Sequence, residues 1–397
     1  MTLLKESIRS SSRKTCFASI VVIGCGLVVG LGSISDYESS SFNEINQIYF
    51  KASSSDSSSI VFVGTVLIAH VLSCLAWGLV APAPKEEVCL IQISLCTYFI
   101  GLAIWWVFRY STTSPTIVNF VVDVLGGVSL VILSLAVPLY IATQKRRGVL
   151  ICVYFFGKNL MLYLPFSFSK KKDSILLKTA TSLIILASVL ACCLSSNSNE
   201  SSNSFSHKKS REEPKFRTNL RSVTILCWAS ISNNCIIFYQ APRLFEYFVT
   251  PLSAKTVLLN IALSIVIPLF SMLPSVFVGT ISRTALTYLG GVIVLCYASL
   301  MACTIYLQDQ LESHSLKSAI PLSFWMFQSA LSTSIAPIIY LQGIKAQSYR
   351  YLTVSVGSFL YWSVRVMLPT ISLLPLTLIF GSTGLLCLMF CVLYVAI

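Results

Sequence analysis

The sequence predicts an all-α membrane protein of about twelve spanning helices, arranged as two bundles of six, and three observations predict it. Of 397 residues, 55% are hydrophobic and only 11% are charged, whereas a soluble domain carries charge on about a quarter of its residues to coat its surface. The mean hydropathy is +0.79. The apolar residues also fall in unbroken blocks near twenty long, about the length a helix needs to cross a hydrocarbon core roughly 30 Å thick. Alternating strands of a membrane barrel do not produce such runs.

The blocks lie near 16–34, 59–81, 88–108, 117–142, 149–166 and 175–194, and again near 222–241, 256–278, 284–307, 320–344, 351–368 and 371–396. The fifth is short and is interrupted by Lys158. Between the two sets lies a segment rich in Ser, Asn, Lys and Arg, without apolar periodicity, which reads as a linker. The predicted organisation is therefore an amino-terminal bundle over 1–194, a cytoplasmic linker over 195–221 and a carboxy-terminal bundle over 222–397.

The net charge of +13 raises the question of a nucleic-acid partner, and its placement answers against one. With the amino terminus inside, the inner segments hold seventeen Lys and Arg residues and the outer segments eight. This is the asymmetry that orients helical membrane proteins, and it sets both termini and the linker in the cytosol. The sequon Asn199-Glu200-Ser201 then lies on the cytosolic side and carries no glycan. A plasma-membrane location is expected, with the bilayer as the surrounding partner and the chain acting as a monomer.

Covalent chemistry is not expected. Fourteen cysteines show no paired zinc spacing, and most sit inside apolar blocks, where they pack as small apolar residues. The three histidines (His70, His207, His314) are scattered, and no Ser-His-Asp set or metal cluster is evident. The expectation is a non-enzyme without metal or cofactor.

More specific signals come in order along the chain. The stretch Asp123 to Gly148, DVLGGVSLVILSLAVPLYIATQKRRG, contains Pro138-x-Tyr140 followed by a basic loop closing on Arg147-Gly148. Trp228 to Pro242, WASISNNCIIFYQAP, holds Asn234, Phe238, Tyr239 and Pro242. Ala336-Pro337-Ile338-Ile339-Tyr340 and Tyr361-Trp362 with Pro369 follow. This ordered set resembles the fourth, seventh, tenth and eleventh spans of the sugar porters in the major facilitator superfamily, with the insect facilitated trehalose transporters the nearest flavour. The resemblance covers nearly the whole chain and implies the major facilitator fold and transport of a sugar.

The departures from that family are equally specific. Its charged loop after the second span is replaced by Ala81-Pro82-Ala83-Pro84-Lys85-Glu86, and the counterpart after the eighth keeps Arg283. The Arg that opens the fourth span is Asp123 here, the Glu that ends it is Thr143, and the Glu after the tenth is Lys345. The family's Gln pair is Trp228 and Ala229. These losses motivate two alternatives to transport: a transport-deficient paralogue acting as a sensor or scaffold, and a helical membrane receptor with fewer spans.

A sugar is held by hydrogen bonds to its hydroxyls and by stacking of its C–H face on an aromatic ring, in a watered cavity at mid-membrane. Asn233 and Asn234 supply uncharged hydrogen-bonding groups that are costly to bury alone. Trp228, Tyr239, Tyr340 and Trp362 supply rings. The bland reading is that such residues only hold helices together; the family position favours cavity lining for the two Asn, whereas the rings taken singly serve packing at least as readily. Pro337 and Pro138 offer hinges, and Arg147 and Arg283 retain part of a gate. Among ionisable residues within spans, Asp123, Lys158 and Arg365 are read as interfacial or paired rather than as a proton relay. Facilitated diffusion is preferred to proton coupling.

Overall fold

The computed structural model describes residues 16–30, 86–108, 115–144, 146–163 and 268–273, with the single positions Ile68, Leu72 and Ser182. Four helices account for most of them: α1 Cys16–Gly30, α2 Glu86–Phe108, α3 Pro115–Thr143 and α4 Arg147–Tyr163. They match the first, third, fourth and fifth apolar blocks. The remaining blocks, apart from 268–273 in the eighth and those single positions in the second and sixth, and the linker over 195–221 lie outside the described residues.

The helix ends follow local chemistry. At α2 the helix takes in Glu86 and Glu87, two residues ahead of the apolar block; negative charge in a first turn is favoured by the exposed N–H groups there. Pro115 opens α3, where its missing N–H costs nothing and its fixed φ suits the first turn. At 23 and 29 residues, α2 and α3 rise about 34 and 43 Å, and both are long and apolar enough to cross a membrane. Lys158 does not break the fifth block: α4 runs through it to Tyr163.

α2 and α3 pack against each other along their length. Ser94 Oγ donates to the Ser129 carbonyl at 2.6 Å, and seven residues further along α2, Gly101 faces Val122 and Leu125 of α3. Advance on one helix is retreat on the other, so the pair is antiparallel. In an apolar medium such an interhelical bond contributes about 0.6 kcal/mol. The Gln144 N–H donates to the Ile141 carbonyl as α3 ends, and the Val149 and Leu150 N–H groups donate to the Arg146 carbonyl as α4 begins, each at 3.1 Å.

α1 and α4 approach more closely still. A Cβ on Gly26 would run into the Tyr154 carbonyl, and one on Gly30 into the Lys158 carbonyl. From the other side, a Cβ on Gly157 would lie 2.7 Å from the Ile23 carbonyl. Three glycines thus bring two backbones together, as small residues do between membrane helices. The pairs 26 with 154 and 30 with 158 keep a constant offset, so α1 and α4 run parallel. First and fifth spans of one bundle must run this way.

The four helices share one core. From Leu130 to Ile141, α3 is buried nearly all round, with Leu133, Ala136, Val137 and Ile141 at 0% exposure; a helix apolar on every side belongs to an interior. On α2, Cys89, Ile93, Cys96, Ile100, Ala103 and Val107 form an outward stripe, the face turned to lipid. Met272, in the second half of the chain, packs against this first-half core. The segment around it is tight: Ser271, Met272 and Leu273 each donate to the carbonyl three residues back, a 3₁₀ pattern that begins at Pro268.

Candidate substrate path

Polar groups buried within the first half mark where a path for a polar cargo could run, because in hydrocarbon each needs a partner or a watered space. Among the described residues the buried polar side chains are Glu87, Ser94, Ser129, Ser134, Lys158, Asn159 and Ser271. The serines are explained by packing. Ser129 Oγ donates to Leu125 O at 2.7 Å, Ser134 Oγ to Val131 O at 2.8 Å and Ser271 Oγ to Pro268 O at 2.5 Å. Such local bonds are the usual fate of a serine in a spanning helix.

Lys158 and Asn159 differ in kind. They sit eleven and twelve residues into α4, about 16–18 Å along the axis from its first residue, at 6% and 0% exposure. The Lys158 ammonium lies 5.6 Å over the ring of Phe155, one turn back toward the helix start, so the side chain is not reaching for the far interface. Tyr154 stands edge-on to Phe155, with ring centroids 5.5 Å apart. Helical phase could have placed Lys158 on the buried face, because Ile151, Phe155 and Lys158 recur at four and three residues. Composition alone marked it as an interruption.

Arg147 opens α4, half-buried. Glu87 is fully buried near the start of α2, a position the block boundaries had left in the preceding loop. Pro138 lies inside α3 and is itself buried. It cannot donate to the Ser134 carbonyl, which leaves a point where α3 bends at low cost. Asp123 lies on α3. Asn233, Asn234, Tyr239, Trp228, Tyr340, Trp362, Pro337 and Arg283 all lie outside the described residues. At the opposite end of α2, Trp105 and Trp106 stand edge to face at 5.5 Å, in the place where aromatic side chains anchor a helix at the membrane surface.

Close-packed apolar helices, α2 antiparallel to α3 and α1 parallel to α4, with two of them long and apolar enough to cross a membrane, define a multi-pass helical membrane protein. The comparisons agree in fold. The structure is similar to the proton:xylose symporter XylE bound to 6-bromo-6-deoxy-D-glucose, at a TM-score of 0.65 and 15% identity over 96% of this chain and 95% of that one; XylE is from E. coli. It is similar to a bacterial homologue of the iron transporter ferroportin in an outward-facing state, at 0.65 and 11% over 96% and 100%. It is also similar to the human organic anion transporter MFSD10, at 0.60 and 12% over 96% and 99%. At such identities these likenesses establish the major facilitator fold alone. No curated protein matches the sequence.

The family follows from the sequence match. The model of the family described as sugar (and other) transporter matches residues 190–397, just over half of the chain, and the chain belongs to that family.

Proposed function

We propose that this protein moves a sugar of hexose or trehalose-like disaccharide size across the plasma membrane by facilitated diffusion. Two six-helix bundles, 1–194 and 222–397, rock about a central site, with the linker 195–221 and both termini in the cytosol. The observation that carries the reading is the family match over residues 190–397, which contains Asn234 and the three motifs of the second half. In this reading Asn233 and Asn234 hydrogen-bond the sugar hydroxyls, while Trp228, Tyr239, Tyr340 and Trp362 stack on its apolar face. Pro138 and Pro337 let α3 and the tenth span flex as the halves exchange, and Arg147 and Arg283 contribute to closing the inner side.

Uptake of labelled sugars into oocytes expressing the chain tests the proposal. Saturable uptake, reduced about tenfold by Asn234→Ala through loss of a hydrogen bond and exposure of its unpaired partner, supports it. No uptake of any sugar despite surface expression points instead to a sensor or scaffold, the reading that the missing loop charges motivate.

A further inference from the structure

We propose that the open space in front of Gly126 on α3 is part of the outer passage by which the sugar reaches its site, and that the missing side chain keeps that passage wide enough. The inference rests on the transporter reading above and adds to it a residue that controls entry.

Space is free at Gly126. A Cβ built there meets nothing within 4 Å, and the residue is partly exposed. Gly101 on the neighbouring α2 shows the ordinary alternative, a Cβ in van der Waals contact with Leu125 at 3.5 Å. Close-packed interiors leave few gaps larger than a water molecule, so an open one inside a bundle calls for a use.

The space lies on the interior side of α3. Residues four and three apart share one side of a helix, and the stripe through Gly126 continues as Leu130, Leu133 and Val137, at 1%, 0% and 0% exposure. The α2 contact runs instead through Val122, Leu125 and Ser129. On the far side, Val121 is exposed and Val128 and Ile132 are half-buried, the face left to lipid. Gly126 therefore looks neither to lipid nor to α2. Its stripe is open at its own level and sealed from the next turn onward.

The direction of that change fits entry from outside. Gly126 lies eleven residues after Pro115, roughly 16 Å along the axis. With the amino terminus in the cytosol, α3 runs inward from Pro115, so the stripe is open toward the outer side and closed toward the cytosol. Alternating access needs such one-sided closure in one of its states. A sugar ring is rigid and cannot fold past an obstruction, so a branched side chain at position 126 would collide with it or displace it.

The test expresses the full chain in oocytes with labelled glucose and trehalose. Gly126→Cys puts a thiol into open space and should keep the wild-type unfolding temperature. A charged, membrane-impermeant methanethiosulfonate reagent applied outside should modify that thiol, mapped by mass spectrometry against the wild-type protein as background, and should lower uptake at least about tenfold. Gly126→Leu should lower uptake of whichever sugar the wild type carries by a similar factor, the scale of a side chain added against a rigid ligand, while Gly126→Ala stays within about twofold. Modification by a lipid-soluble maleimide but not by the charged reagent shows the space filled by lipid and overturns the proposal. Undiminished uptake by Gly126→Leu also overturns it. Either result leaves the transporter reading standing, whereas absence of all uptake by the wild type removes both.

Discussion

At the scale of single residues, the seam between α1 and α4 depends on the absence of side-chain atoms. Gly26 and Gly30 meet backbone carbonyls, which cannot swing aside as the end of a flexible side chain can. Gly26→Ala or Gly30→Ala therefore forces the helices apart, at a cost of about 1–3 kcal/mol, seen as a lower unfolding temperature of the purified protein. Gly126 is the control: a Cβ placed there meets nothing within 4 Å. Gly126→Ala should leave stability unchanged or raise it by up to about 1 kcal/mol through helix propensity. Equal losses at all three positions would show that these glycines serve backbone conformation and not close approach. Gly24, Gly26, Gly30 and Gly32 of the first block are plain in the sequence, but which of them meet another backbone is not, because that depends on which face α4 covers.

At the scale of elements, α3 combines a core position with a built-in weakness. Its middle is buried nearly all round, yet Pro138 removes one rung of its hydrogen-bond ladder. Pro138→Ala restores that rung. The expected outcome is an unfolding temperature equal to or above that of wild type, with the maximal uptake rate reduced about two- to tenfold because a hinge has stiffened. An unchanged rate would show that α3 moves as a rigid rod. Helix type and approximate bounds were legible in advance at α2 and α3, since twenty apolar residues in succession have few other places to go. Glu87 was not: its inclusion in α2, and its full burial, follow from neighbours that an apolar-run criterion does not weigh.

At the scale of the whole molecule, orientation is a matter of loop charge. Epitope tags at the amino terminus, within 195–221 and at the carboxyl terminus should all be inaccessible to antibody in intact cells and accessible after permeabilisation, and Asn199 should carry no glycan. A linker and carboxyl terminus on opposite sides would favour a seven-span receptor. The packing of Met272 onto the first-half core is a contact between the two halves, beside a local 3₁₀ stretch. Nothing in the order of residues announced that contact, because two positions more than a hundred residues apart meet only when both bundles are assembled.

The division between sequence and structure follows from the range of the forces involved. Apolar run length, the bias of Lys and Arg in loops and the ordered motifs are properties of short stretches, and transfer between water and lipid acts on each stretch separately. They were enough to determine a multi-pass helical protein and to point to its family. Which faces of those helices meet is settled by contacts between distant stretches, whose strength depends on shape at the level of a single methyl group. Only the tertiary structure therefore decided that α1 lies parallel to α4 across three glycines, and that Lys158, an interruption when read along the chain, is buried with its ammonium over the Phe155 ring.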